Sequence, residues 1–106
     1  MLLGYGREAD GRVWLRYRLS RAAIVGGIVS VPAALKDALR GDYRLVGVDG
    51  RPAGTVRVDN GLAWRLAPLF RRLGSRVDDE LRLEFDPEAG SAVAVTSDGP
   101  GGGAAG

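Results

Sequence analysis

Residues 26–41, GGIVSVPAALKDALRG, constrain the fold more than any other stretch of this chain. Ile28, Val29 and Val31 are β-branched and apolar, which suits a strand. Pro32 cannot donate to a sheet ladder, yet its fixed φ suits the first position of a helix. Leu35, Ala38 and Leu39 then recur at helical spacing, and Gly41 stands where a helix would stop. The spacing predicts a strand over residues 22–31 leading directly into a short helix over Pro32–Arg40.

A chain of 106 residues is one domain's worth, so a core forms only if most of it is ordered. Cysteine is absent, which excludes disulfides and thiolate metal sites. Histidine is absent too, which removes the commonest general base and the commonest metal ligand. The longest apolar or glycine run, Ala22 to Val29, is far short of the ~20 residues that span a bilayer. Arg7, Glu8 and Asp10 near the N-terminus leave no apolar region of a secretory signal. A cytoplasmic protein with no membrane contact is expected, nucleoid-associated if it binds DNA.

The net charge of +2 conceals a separation of signs. Residues 1–76 hold 14 of the 15 basic residues and 6 of the 13 acids, whereas residues 77–106 hold Arg82 against seven acids. A GC-rich genome is one source of arginine over lysine, but it does not separate signs along a chain. A one-sided basic surface on a small β-rich protein points to a polyanion.

Along the chain, residues 1–11 read as a flexible, glycine-punctuated lead-in. Residues 12–20 alternate Val13, Leu15, Tyr17 and Leu19 against Arg12, Trp14, Arg16 and Arg18, the period of a half-buried strand. Three like charges on one strand face repel, so acidic neighbours across the sheet or a bound anion must compensate. Gly26 and Gly27 inside the next strand mark a bend or a close approach of backbone. Residues 43–48 and 53–58 flank Asp49-Gly50-Arg51-Pro52, a hairpin signal with Arg51 at its tip. Asp59-Asn60-Gly61 makes a second turn, Leu62–Trp64 a short strand, and residues 66–73 a second helix stopped by Gly74. Residues 81–86 and 92–96 alternate again. Residues 97–106 have no apolar content to bury and are expected to be disordered. Residues 28–58 and 62–96 thus follow one plan of strand, proline-marked helix and hairpin.

The segment Gly27-Ile28-Val29-Ser30-Val31-Pro32-Ala33-Ala34-Leu35-Lys36 resembles the strand-to-helix half of AbrB/MazE-type DNA-binding proteins. Two such halves in one chain resemble the DNA-binding pseudobarrel superfamily, shared by plant auxin-response-factor-type domains and restriction-endonuclease effector domains. Val77-Asp78-Asp79-Glu80-Leu81-Arg82-Leu83 is similar to the Gly-Asp turn before a late strand of that superfamily, except that Asp79 lacks its preceding glycine. The resemblance covers about residues 12–96. It implies a mostly β fold, a small open pseudobarrel of about seven strands with two short helices. It also implies two arms that grip a duplex in the major groove. By position, the first arm is Arg18, Ser20, Arg21 and the Gly26-Gly27 bend, and the second is Arg51, Arg57, Asn60, Trp64 and Arg65.

Arginine pairs bidentately with guanine edges or phosphates. Asn60 either reads adenine or caps its turn, with the turn favoured. Trp64, between Leu62 and Leu66, is expected in the core, and Trp14 lies on the arginine-bearing face. Asp78, Asp79 and Glu80 read as a solvated, charge-balancing turn and not as a metal site, and Gly101–Gly103 follows no strand that would make it a phosphate loop. No catalytic residue, cofactor, metal or small-molecule substrate is expected. The expected partner of this monomer or weak dimer is double-stranded DNA. The alternative is an adaptor or antitoxin-like barrel whose basic face meets an acidic, larger partner protein. Single-strand binding ranks lower because it needs exposed aromatic side chains.

Overall fold

A computed structural model describes residues 1–97. Eight strands form one sheet: β1 (Leu2–Arg7), β2 (Val13–Arg18), β3 (Val29–Ser30), β4 (Gly41–Gly47), β5 (Pro52–Asp59), β6 (Leu62–Trp64), β7 (Glu80–Asp86) and β8 (Ser91–Ser97). Two short helices, α1 (Arg21–Gly26) and α2 (Ala67–Leu73), complete a mostly β domain. The sheet order is β1-β2-β7-β8-β4-β5-β6-β3. Every pairing is antiparallel except that of β4 with β8.

The sheet curls so that its alternating inner faces share one core. Val13, Leu15 and Tyr17 of β2 meet Leu81, Leu83 and Phe85 of β7, and Leu69 and Phe70 of α2 join the same cluster. Tyr43 and Phe85 pack edge to face at 4.9 Å between centroids. The opening between the two sheet edges is bridged from β2, where the buried Tyr17 hydroxyl donates to the Ser30 carbonyl of β3 at 2.6 Å. This bond draws the sheet towards a closed barrel.

Three local expectations are corrected. The lead-in is not loose, because residues 2–7 form β1 on the edge of β2. Gly4 and Gly6 leave room for the Trp14 indole, and a Cβ on Gly6 would lie 2.8 Å from its Nε1. The strand expected over residues 22–31 is mostly helix. Ser20 caps α1 by accepting from Ala23 N–H at 3.1 Å, Gly27 ends it at φ 67, and only Val29–Ser30 remain as strand. The helix expected over Pro32–Arg40 is a run of turns. Its backbone mixes three- and four-residue bonds, Leu35 to Pro32, Leu39 to Leu35 and Arg40 to Asp37, so no regular ladder propagates. Leu35 and Leu39 are nonetheless buried, as their spacing required. Of the two-half plan the hairpins β4–β5 and β7–β8 are present, but only the second half has its proline-marked helix, and β4 pairs β8 whereas β7 pairs β2. The tail beyond Ser97 lies outside the described residues.

The turn before β7 resolves its missing glycine. Asp78 itself takes the left-handed conformation, φ 71, which Asp tolerates better than most side chains. The buried Asp79 carboxylate accepts from Arg76 N–H at 2.8 Å. Asp78 N–H and the Asp79 carbonyl bond the backbone of Leu19, locking this turn onto the end of β2. Asp79→Ala strands the Arg76 N–H, and should cost about 1–3 kcal/mol in urea unfolding. Asp78→Gly should be neutral or stabilising in the same measurement.

Burial raises the ionisation of the Tyr17 and Tyr43 phenols above the ordinary value of 10.0. The neutral phenols therefore lend a stability that is complete below the unfolded value and declines as pH rises beyond it. Unfolding free energy should fall as pH rises above about 10, and less steeply in Tyr17→Phe. At neutral pH that variant should lose about 1 kcal/mol through the missing bond to Ser30. An unchanged midpoint in Tyr17→Phe would show that the bridge is energetically idle.

Candidate nucleic-acid interface

The β5–β6 hairpin turns in two residues, Asn60 at φ 53 and Gly61 at φ 73. Two consecutive positive φ angles are the tight hairpin geometry that Asn-Gly favours. The turn thus explains the Asn60 backbone, while its side chain remains on the wall of a groove. Inward and outward alternation along β6 buries Ala63 and turns Trp64 out. Trp64 is 38% exposed, which corrects its expected place in the core. Arg57 of β5 stands directly opposite it in the ladder.

After Trp64 the chain leaves the sheet through Arg65, at φ 71, and enters α2. Leu66, which is fully buried, donates its N–H to the Gly27 carbonyl at 2.9 Å. Gly27 is forced to be glycine twice over. Its φ of 67 is left-handed, and a Cβ there would sit 2.4 Å from the Ala67 nitrogen. This contact sets the end of α1 beside the start of α2.

Between them lies a groove of about 570 Å³ lined by Gly26, Ile28, Arg57, Asp59, Asn60, Trp64 and Arg65. A second cleft of about 350 Å³ shares Ile28 and includes Arg18, Ser20 and Ser30. The Ser20 hydroxyl is engaged in capping α1. Arg21, exposed, opens α1, the helix whose last residue, Gly26, lines the groove. Gly26 of the first expected arm thus lines one groove with Arg57, Asn60, Trp64 and Arg65 of the second, and Arg18 and Ser20 line the adjoining cleft.

Arg51 does not join them. It sits before β5, 3.9 Å from the Asp49 carboxylate at the tip of the β4–β5 hairpin. Six residues of strand at about 3.3 Å each place it roughly 20 Å from Arg57. Ile28 and Asp59 are groove residues that the sequence reading missed. The signal for Ile28 was its odd-even offset from the inward Val29.

Ion pairing divides the arginines. On the β2–β7 face, Arg16 pairs with Glu80 at 2.6 Å and Arg12 with Glu84 at 2.9 Å. Arg82 reaches Glu84 at 3.8 Å and lies 5.0 Å over the Trp14 ring. The acidic last third therefore compensates Arg12 and Arg16 of the arginine row, but not Arg18. Arg18, Arg21, Arg57 and Arg65 have no ion-pair partner among the described residues, and neither do Arg7, Arg44, Arg71, Arg72 and Arg76, which line neither cleft. Asp59, the one acid on the groove wall, is 3.7 Å from Arg40.

Of the three acids in the turn before β7, Asp79 caps backbone and Glu80 pairs with Arg16. No group of three or more His, Cys, Asp or Glu side chains among the described residues is arranged to hold a metal ion. No helix among them is long and apolar enough to cross a membrane. No family model and no curated protein matches the chain.

The groove wall is predicted to depend on Gly27 and not on Gly26. Gly27→Ala must displace the first backbone nitrogen of α2 and hold a left-handed Cβ, a cost of about 2–4 kcal/mol. A Cβ on Gly26 meets nothing within 4 Å, so Gly26→Ala should stay within about 0.5 kcal/mol of the parent. Paired urea titrations would read the difference, and equal midpoints would contradict a rigid contact.

Proposed function

We propose that this chain is a non-enzymatic double-stranded DNA-binding domain that holds the duplex with the α1–β3 loop and the β5–β6 hairpin. One observation carries the reading. The arginines left without carboxylate partners include Arg57 and Arg65 on one groove, Arg18 at the end of β2 on the adjoining cleft and Arg21 on the helix between, while Arg12, Arg16 and Arg82 are paired with acids. A phosphate backbone rewards this arrangement, because each neutralised phosphate releases condensed counterions. The groove adds an amide at Asn60, an aromatic edge at Trp64 and an apolar contact at Ile28, the kinds of group that meet base edges once phosphate contacts have set the register. The Ser20 hydroxyl serves the fold of the first arm, and Arg51 is assigned no contact.

Fluorescence anisotropy with a random duplex tests the reading. With about five phosphates neutralised, log affinity should fall against log salt with a slope near −4 to −5. Arg57→Ala should weaken all duplexes alike and reduce that slope by about 1. Its thermal midpoint should hardly move, since Arg57 is exposed and unpaired. A slope near zero, or no binding at low salt, would sink the proposal and favour an acidic protein as the partner of the basic face.

A further inference from the structure

Among the described residues, three that are not glycine hold a left-handed backbone: Asn60, Arg65 and Asp78. Two have a local reason. Asn60 is the first residue of a two-residue hairpin turn, and Asp78 occupies a turn locked by the Asp79 carboxylate. Both residue types visit this region readily. Arg65 has neither excuse. Its side chain gives the backbone nothing in return, since it makes no hydrogen bond or ion pair among the described residues, and glycine would hold the same φ without strain.

The position of Arg65 is also held on both sides. On one side Trp64 is held in the β5–β6 ladder, and on the other buried Leu66 is bonded to Gly27. The Arg65 Cα therefore moves only if the sheet or α2 moves with it. A phosphate contact needs no such fixity, because a flexible guanidinium reaches phosphates from many rim positions. A base edge requires one direction and one distance, and it is read best by a side chain whose backbone is held in one conformation from both sides. We infer that Arg65 is the base-reading residue of this groove, presenting its guanidinium to the O6/N7 edge of a guanine in the major groove, while Arg57 and the other unpaired arginines hold phosphates. The inference rests on the duplex-binding reading and assigns its sequence selectivity to one side chain.

Selection from a randomised duplex library, run with the parent protein and with Arg65→Gly, tests it. Glycine removes the guanidinium while suiting the backbone, so the variant should melt at or above the parental midpoint. The parent should select duplexes with a preferred guanine, and replacing that base by 7-deazaguanine should weaken its binding about tenfold. Arg65→Gly should lose the preference and be indifferent to 7-deazaguanine, with the salt slope of its general duplex binding unchanged. Retention of the guanine preference by the variant would overturn the assignment. So would a parent that selects no guanine, or a variant whose slope falls by about 1, which would make Arg65 a phosphate contact. A variant that melts clearly below the parent would remove the backbone argument. Those outcomes leave duplex binding itself standing, whereas failure of the parent to bind any duplex would overturn both readings.

Discussion

The contact of Gly27 with the start of α2 is the constraint on which the groove depends. The β3–β6 ladder spans only two residue pairs, too few to hold a wall by hydrogen bonds alone. Gly27 adds what the ladder lacks. Its N–H closes α1 on the Ala23 carbonyl, its own carbonyl takes the first free N–H ahead of α2, and its missing Cβ lets the two backbones touch. One residue therefore ends one helix, orients the next and sets the distance between two loops that are some 40 residues apart in sequence. Because both loops leave that point in fixed directions, the side chains on them are placed by the fold and not by their own flexibility.

Charge follows the same geometry. β7 inserts between β2 and β8, so the acids of the last third of the chain fall across the strand that carries Arg12 and Arg16. These exposed pairs add little stability individually. Their consequence is subtraction. They neutralise Arg12, Arg16 and Arg82, while Arg57 and Arg65 on the groove stay unpaired among the described residues. Signs that are separate along the sequence are brought together on one face, because the acidic strand is paired at long range with the basic one.

Much of the sheet was legible because half-buried strands announce themselves by alternation. β2, β4, β5, β7 and β8 follow that pattern, and the Asp49-Gly50 and Asn60-Gly61 turns fix two of their connections. The failures have long-range causes. β1 carries two glycines that weaken any strand, and the Trp14 ring that covers them comes from the next strand. Ile24 and Val25 look like strand residues, yet the Ser20 cap and the Gly27 stop make a helix of them. Pro32 and the Leu35–Leu39 spacing look helical, but with only those two leucines carrying the segment into the core, nothing obliges its backbone to close regular turns. Arg51 was read correctly as a hairpin tip. Only the sheet order shows that this tip lies at the far end of β5 from the groove.

The departures from local rules are not spread evenly. Trp64 turns outward from a strand whose neighbouring residues are buried or half-buried, and Arg65 holds a conformation suited to glycine. Away from the groove, the comparable oddity at Asp78 is balanced by the Asp79 cap beside it. A chain selected for stability alone would place a small residue at 65 and an inward or polar one at 64. Locally inconsistent choices persist where something outside the fold rewards them. Here they lie on or beside the same concavity that Arg57 and Arg65, both unpaired, line. Backbone conformation and charge are independent properties of the chain, and their coincidence at one place is a stronger argument for a binding surface than either would be alone.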